Sequence, residues 1–176
     1  MGDDDERALW ARVHGGDEAA LGALFDRHAD RVFRHACRIV SQREDAKDAV
    51  VLAFHQLWRK RRSVRLVAGS PLPWLLATTT RTALNLERSA RRQRALLGRM
   101  PAVEPVVPAH DDPDSPVVDA VRRLPPGQRD VVVLTVLEGY RHDEVAAALG
   151  ISVGTVKSRL SRAKAALRGE LTEREA

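Results

Sequence analysis

The chain has 176 residues, of which 44% are hydrophobic, and it carries a net charge of +5. This length suits one medium domain or two small ones, and the positive charge favours a polyanionic partner. A single cysteine, Cys37, excludes an internal disulfide framework and a cysteine metal cluster. The start MGDDDERALW lacks the features of a secretory signal, and no stretch approaches the roughly 18 apolar residues of a membrane helix. We therefore expect a soluble cytoplasmic protein with no direct membrane insertion.

Basic residues are concentrated in two parts of the chain. Residues 59–99 contain eleven basic side chains and one acid, Glu87, whereas residues 100–144 contain nine acidic side chains and four basic ones. Residues 145–176 are again basic. Any single run could be a solvated helix face, so the charge pattern alone does not identify the partner.

Apolar residues recur at helical spacing along almost the whole chain, and no run alternates as a strand would, so the fold is predicted to be all-α. Asp17 is placed to cap the second helix, and Ser41 with Glu44 forms a capping-box pattern that opens the third. The first four helices are predicted at about 6–14, 18–40, 42–61 and 71–97. The stripe of the second helix is predicted to comprise Leu21, Leu24, Phe25, His28, Val32, Ala36 and Ile39.

A proline-rich segment follows the fourth helix. Five of the nine prolines lie between Pro101 and Pro116, interleaved with aspartates, and this composition cannot build a packed core. The chain is therefore predicted to form two small helical domains, residues 1–98 and 115–176, joined by a flexible Pro/Asp-rich linker at 99–114.

Beyond the linker, short helices are predicted at 116–123 and 128–138, and two more helices follow. In the third helix after the linker, Val145, Ala146 and Leu149 form an apolar set that stops at Gly150, which can take the left-handed conformation. Ser152 can cap the last helix. The core of this domain is predicted to comprise Val118, Val121, Leu124, Val132, Val133, Val136, Leu137, Val145, Leu149, Val156, Leu160 and Leu167.

The last two helices have the pattern of a DNA-binding helix-turn-helix. Val156, Leu160, Ala163 and Leu167 form one buried stripe of the last helix. A recognition helix reaches base edges from its N-terminal turns and holds phosphates with basic side chains. The alternative is an ordinary amphipathic hairpin with a solvated basic face. The side chains predicted to face outward are Thr155, Lys157, Ser158, Arg159, Ser161 and Arg162.

The segment 124–167, which begins LPPGQRDVVVLTVLEGYRHDEVAAALGISVGTVKSRL, resembles the C-terminal region of bacterial sigma factors of the extracytoplasmic-function type. The segments EDAKDAVVLAFHQLW at 44–58 and SPLPWLLATTTRTALNLERSARR at 70–92 resemble the first conserved domain of that family. The resemblance implies a promoter-specificity subunit that binds core RNA polymerase and directs it to a two-part promoter. It implies no cofactor, no small-molecule substrate and no catalytic activity, and it implies an anti-sigma partner that covers both domains.

The resemblance also implies three sets of site residues. The upstream minus-thirty-five element would be read in the major groove by Thr155, Lys157, Ser158, Arg159 and Arg162. The downstream minus-ten element and its displaced single strand would be held by Arg65, Arg81, Asn85, Arg88, Arg91 and Arg92. Polymerase would be bound through Asp48, Val51, Leu52, Gln56 and Trp58.

The chain departs from the family pattern at a few positions. Val51 and Leu52 stand where the family usually carries a Gln and an acid, so an apolar patch would meet the polymerase. Arg81 stands where many members have Asn, and Arg141 replaces a common Ser or Thr cap.

Two rival functions stay open at this point. The first is a helix-turn-helix transcriptional regulator that binds DNA without joining polymerase and dimerises on paired half-sites. The second is a DNA-processing enzyme such as a recombinase, but the only tyrosine, Tyr140, lies in the DNA-binding segment. Among the six histidines only His28 and His35 share a helix face, and no third ligand follows, so no metal site is expected.

Overall fold

The computed structural model describes residues 3–40, 42–97 and 116–175, and the described residues form an all-α fold, as predicted. The predicted linker at 99–114 lies outside these residues. Four helices belong to the N-terminal domain: α1 (Asp3–Gly15), α2 (Glu18–Cys37), α3 (Arg43–Lys60) and α4 (Leu72–Leu97). The C-terminal domain contains α5 (Pro116–Arg123), α6 (Pro126–Val132), α7 (His142–Leu149) and α8 (Val153–Glu175). A π-helical segment, Val133–Leu137, continues α6.

Local capping explains where the N-terminal helices begin. The Asp17 carboxylate accepts hydrogen bonds from the backbone N–H groups of Ala19 and Ala20 at 2.9 and 3.1 Å, as an N-cap residue does. The third helix begins later than predicted, because Gln42 occupies its N-cap position. The predicted cap residue, Ser41, lies outside the described residues.

The N-terminal core lies where α2, α3 and α4 meet. Leu24, Leu57 and Leu75 are fully buried there, one from each helix. Phe25 was predicted to belong to the buried stripe of α2, but 37% of it is exposed. It lies at the edge of the core, where its ring packs edge-to-face on Phe54 with centroids 4.8 Å apart.

The C-terminal core differs from prediction after Val133. Val136 and Leu137 were predicted to be buried, but they are 60% and 36% exposed. Here the Glu138 N–H donates to the Val133 carbonyl oxygen at 3.0 Å, five residues back. An i→i+5 bond places more residues in the turn than an α-helix does. The side chains that follow therefore rotate away from the face predicted from a 3.6-residue period.

The two domains contact one another directly. Helix α4 of the N-terminal domain packs against α6, the π-helical segment and α7 of the C-terminal domain. None of the described helices combines the length and apolar composition needed to cross a membrane.

Candidate nucleic-acid interface

The turn between α7 and α8 is closed by backbone hydrogen bonds that require a left-handed residue. Gly150 has φ +67° and ψ +35°. Its N–H donates to the Ala147 carbonyl at 3.3 Å, and the Ile151 N–H donates to the Ala146 carbonyl at 3.0 Å. This pair of bonds is the Schellman motif, which satisfies the last carbonyls of a helix. The predicted helix end at Gly150 is thus confirmed.

Helix α8 begins at the predicted cap. The Ser152 Oγ accepts a hydrogen bond from the Thr155 N–H at 3.1 Å. At the start of α7, the Arg141 N–H donates to the Glu144 carboxylate at 2.8 Å, so half of a capping box is present despite the arginine at this position. Both helices of the motif therefore have defined starts.

Most side chains of α8 lie on the side that was predicted, and Leu167 of the predicted buried stripe is half-buried. Val156, Leu160 and Ala163 are buried. Lys157, Ser158, Ser161 and Arg162 are exposed, and Thr155 is half-buried.

Arg159 was predicted to face outward, but it is half-buried and its side chain lies over the start of α6. A Cβ atom at Gly127 would lie 3.0 Å from both Cζ and Nη1 of Arg159, so a larger residue there would require the guanidinium to shift by a few tenths of an ångström. The charge of Arg159 also acts on the Asp130 carboxylate. The side chain thus does not simply project into solvent as predicted.

Helix α4 presents a row of exposed polar side chains. They recur at steps of four, three and four, which places them on one face of the helix. The side chain of Arg91 lies outside those that the structure describes. The row consists of Arg81, Asn85, Arg88 and Arg92.

Arg65 is exposed in the loop that precedes α4. The loop is held by two mutual backbone hydrogen bonds of 3.0 Å between Val67 and Ser70. Between them Ala68 and Gly69 both have positive φ, +49° and +84°. The loop therefore has a defined conformation immediately before α4.

Arg81 differs from the rest of its row, because it forms an ion pair with the C-terminal domain. Its Nε and Nη2 atoms lie 2.8 and 2.7 Å from Oδ2 of Asp130. Burial raises the pKa of the Asp130 carboxyl, and the charges of Arg81, Arg129 and Arg159 oppose that increase. This pair could not be predicted from the sequence, since the partners are 49 positions apart.

The predicted polymerase-binding residues are only partly brought together. Asp48, Val51 and Leu52 share the exposed face of α3, where Val51 is 59% and Leu52 40% exposed. The Gln56 amide donates instead to the Thr82 hydroxyl at 3.3 Å, at the seam between α3 and α4. Trp58 is half-buried beneath the Arg61 guanidinium, 4.3 Å from its ring centroid.

The two histidines on one face of α2 make different contacts. His28 Nε2 lies 2.7 Å from a Glu6 carboxylate oxygen within the N-terminal domain. His35 instead joins the domains, with Nδ1 2.7 Å from Glu138 and Nε2 2.9 Å from the Thr80 hydroxyl. Across the described parts of the chain, no three potential metal ligands of the His, Cys, Asp and Glu types cluster.

Glu138 is a second buried carboxylate between the domains. Burial by itself would raise the pKa of this carboxyl, but the hydrogen bond and charge of His35, followed by those of Arg31, outweigh it and lower the pKa. Glu138 was not predicted as an interdomain residue, because its position just before Gly139 at the end of a helix carries no signal of a partner.

Two models of known protein families match this chain, one in each domain. The family model for sigma-70 region 2 matches residues 24–93, and the model for sigma-70 region 4 matches residues 115–167. The first match covers α3 and most of α4, and the second covers the helix-turn-helix. A region 2 followed by a region 4 defines the sigma-70 class of promoter-specificity subunits.

Similar individual proteins indicate which type of sigma factor this chain is. The chain is 34% identical to the ECF RNA polymerase sigma factor SigE of Mycolicibacterium smegmatis, over 90% of this chain and 65% of that protein. It is 32% identical to the RNA polymerase sigma factor CarQ of Myxococcus xanthus, over 93% of this chain and 96% of that protein. The chain belongs to the RNA polymerase sigma factors of the extracytoplasmic-function (ECF) type. These matches do not favour a regulator that binds DNA without polymerase.

Solved structures have a similar fold. CnrH, in a complex with the cytosolic domain of CnrY, superposes with a TM-score of 0.58 at 26% identity, covering 96% of this chain and 97% of that chain. The sigma factor RpoE of Bartonella quintana, in a complex with the anti-sigma factor NepR, gives a TM-score of 0.54 at 22% identity. That match covers 84% of this chain and 94% of the other, and it shows likeness of fold.

Proposed function

We propose that this sigma factor binds core RNA polymerase and directs it to promoters through two DNA contacts, one from each helical domain. The observation that carries the proposal is the helix-turn-helix, with a glycine-closed turn and a capped α8. Its exposed face combines the amines, guanidinium groups and hydroxyls that bind base edges and phosphates. The matches to sigma-70 region 2 and region 4, one in each domain, also support one DNA contact from each domain.

The upstream contact is assigned to the N-terminal half of α8. The unpaired N–H groups at the start of a helix favour a phosphate, and side chains in the next two turns reach base edges. Lys157 and Arg162 are exposed on this face, whereas Arg159 must leave its position over Gly127 to reach DNA. The upstream set comprises Thr155, Lys157, Ser158, Arg159 and Arg162.

The downstream contact is assigned to α4 and the loop before it. A melted strand needs its phosphates neutralised along a groove, and a row of basic side chains on one helix face provides that charge. The downstream set comprises Arg65, Arg81, Asn85, Arg88, Arg91 and Arg92.

The polymerase contact is assigned to the exposed face of α3 around Val51 and Leu52. Two adjacent apolar side chains exposed on a helix mark a surface that a partner helix can cover. Asp48 extends this face, and Gln56 and Trp58 flank it. The protein acts by binding, without catalysis, and it acts in the cytoplasm where its polymerase transcribes.

An anti-sigma factor is the expected regulator. The similar RpoE of Bartonella quintana is in a complex with the anti-sigma factor NepR, and CnrH is in a complex with the cytosolic domain of CnrY. We infer that a protein of this kind covers surfaces of both domains here and prevents polymerase binding.

Reconstitution with core RNA polymerase tests the function. We expect transcription from a promoter only when its upstream and downstream elements are both present. Failure of the protein to bind core at low salt would refute the proposal. Val51→Asp should weaken core binding by placing a charge in an apolar contact, whereas Val117→Asp, at an exposed valine of the other domain, should not.

Substitutions on the DNA faces separate base reading from phosphate binding. If Arg159 reads a guanine, Arg159→Ala should cost about 1–3 kcal/mol on the cognate promoter and less on other sequences. Arg92→Ala should weaken binding on all sequences and lower the salt slope by about one. Lys164→Ala, at an exposed lysine outside the predicted site, is the control. Equal losses for Arg159→Ala on all sequences would contradict base reading.

A further inference from the structure

The turn at residues 67–70, in the loop before α4, has a backbone that few residue types adopt without cost. Val67 and Ser70 exchange two backbone hydrogen bonds of 3.0 Å, and Ala68 and Gly69 between them have φ +49° and +84°. Two successive residues with positive φ are the pattern of a type I′ turn. Alanine is strained in this region of the backbone map, whereas glycine is not. The surrounding structure therefore holds the turn in this conformation.

An arginine of α1 lies directly on this turn. A Cβ atom at Gly69 would lie 2.7 Å from Nε and 2.8 Å from Cγ of Arg7, so any larger residue there would force the Arg7 side chain to move. Gly69 is buried although the preceding Ala68 is exposed, and the stem of Arg7 covers it. The match to sigma-70 region 2 begins at residue 24, so this side chain comes from a helix outside that match.

Helix α1 is fixed relative to the turn by its own packing. Trp10, three positions after Arg7 and on the same side of the helix, is buried in the same core as Val67. Elsewhere on α1, Oε1 of Glu6 lies 2.7 Å from Nε2 of His28 in α2. The position of Arg7 over the turn is therefore set by how the whole helix packs.

The guanidinium of Arg7 places an unpaired positive charge at the turn. Arg7 is exposed, and it forms no hydrogen bond or ion pair with the other described residues. Arg12, the other arginine of α1, lies instead 2.8 Å from the Asp17 carboxylate. Arg65, exposed two positions before the turn, gives the loop a second cation. Because its stem is already packed on Gly69, Arg7 loses less conformational freedom on binding an anion than a mobile surface arginine does.

We propose that α1 contributes to the downstream site: the guanidinium of Arg7, held on the turn by its stem, pairs with a phosphate of the displaced single strand. The inference rests on the proposed function, because that function assigns the loop to the downstream contact. A guanidinium can donate two parallel hydrogen bonds to phosphate oxygens, and such a contact carries no information about the base. Arg7 therefore strengthens binding to every promoter without contributing to the choice among promoters.

The test compares three variants of the full chain with the unmodified protein. Arg7→Met keeps an unbranched stem to cover Gly69 but removes the charge, whereas Arg7→Lys keeps the charge. Arg12→Met is the matched control, because it removes one charge from the same helix at a residue that is paired with Asp17. Circular dichroism melting establishes that each variant is folded, and Arg7→Gln replaces Arg7→Met as the uncharged variant if the latter is not.

Each protein is first assembled with core RNA polymerase, and binding to core is measured without DNA. The complex is then titrated with a forked DNA whose displaced strand is unpaired over the downstream element, at a series of salt concentrations. One phosphate contact to a single strand contributes about 0.7 to the slope of log affinity against log salt, which is about 8-fold between about 50 mM and about 1 M salt.

We expect Arg7→Met to bind the fork about 8-fold more weakly at about 50 mM salt and almost equally at about 1 M, with a slope shallower by about 0.7. Arg7→Lys and Arg12→Met should keep the slope of the unmodified protein. All variants should bind core equally.

The outcomes separate the inference from the function on which it rests. An unchanged slope for Arg7→Met would overturn the inference, because Arg7 would then only cover Gly69. An equal reduction for Arg12→Met would overturn it as well, since net charge would explain the effect. So would a loss for Arg7→Met that persists at high salt, where a phosphate contact is screened. Failure of the unmodified protein to bind core, or of its complex to bind the fork, would overturn the proposed function instead.

Discussion

Replacing Gly150 by alanine should destabilise the helix-turn-helix through backbone conformation alone. Gly150 has φ +67°, and an ideal Cβ added there meets no atom within 4 Å. Steric conflict with neighbours is therefore excluded, and what remains is the cost of a left-handed conformation for an L-residue, about 1–2 kcal/mol. For a domain of 60–100 residues, each kcal/mol lowers Tm by about 4–8 °C. We expect Gly150→Ala to reduce the free energy of unfolding by about 1–2 kcal/mol.

Hydrogen exchange is the suitable assay, because it reads the stability of α7 and α8 separately from the N-terminal domain. Gly150→Asn is the matched control, since asparagine tolerates the left-handed region better than alanine does. It should lose clearly less protection than Gly150→Ala. Once folded, both variants should bind the upstream duplex with unchanged affinity. Equal losses for the two variants, or none for alanine, would refute the argument that backbone conformation sets the cost.

Three further predictions concern other parts of the fold. Ser152→Ala removes the oxygen that accepts the Thr155 N–H and should cost about 1 kcal/mol, seen as faster hydrogen exchange at the start of α8. Leu57→Ala leaves a cavity at a fully buried site and should cost about 2–5 kcal/mol in urea denaturation. His35 and Arg31 lower the pKa of the Glu138 carboxyl. The ionised carboxylate therefore stabilises the contact between the domains at pH values above the ordinary pKa of a glutamate, and this stabilisation is lost as pH falls through the lowered pKa. Energy transfer between dyes on Glu18→Cys and Lys164→Cys, one in each domain of a Cys37→Ser background, should therefore fall in acid. The difference from the same measurement on Glu138→Gln isolates this carboxyl from Asp130, whose pKa is raised by burial.

Features that depend on neighbouring residues could be predicted from the sequence. Asp17 and Ser152 cap helices by reaching N–H groups two or three positions away, and Gly150 closes a helix through bonds to the preceding turn. Each of these interactions lies within a few residues, so the residue types at fixed spacing are sufficient evidence. The helix-turn-helix could be located for the same reason.

Features that depend on tertiary contacts could not be predicted. The π-helical segment changes the face on which Val136 and Leu137 lie, and a pattern of apolar residues does not distinguish it from an α-helix. Arg159 was predicted to face outward, but its side chain is half-buried and lies over Gly127, in another helix. The pairing of Arg81 with Asp130 depends on how two domains meet, which no local spacing encodes.

The acidic segment at residues 100–144 supplies two carboxylates to the contact between the domains. In the sequence it suggested only a change of charge around a linker, but Asp130 and Glu138 lie against basic groups of the N-terminal domain. The two carboxylates therefore offset part of the positive charge of the N-terminal domain, at Arg81 and at Arg31. Added salt weakens phosphate contacts, and it also weakens the partly exposed pair of Arg81, which is 47% exposed. The ion pair between Arg81 and Asp130 and the phosphate contacts of the basic face therefore depend on ionic strength in the same direction.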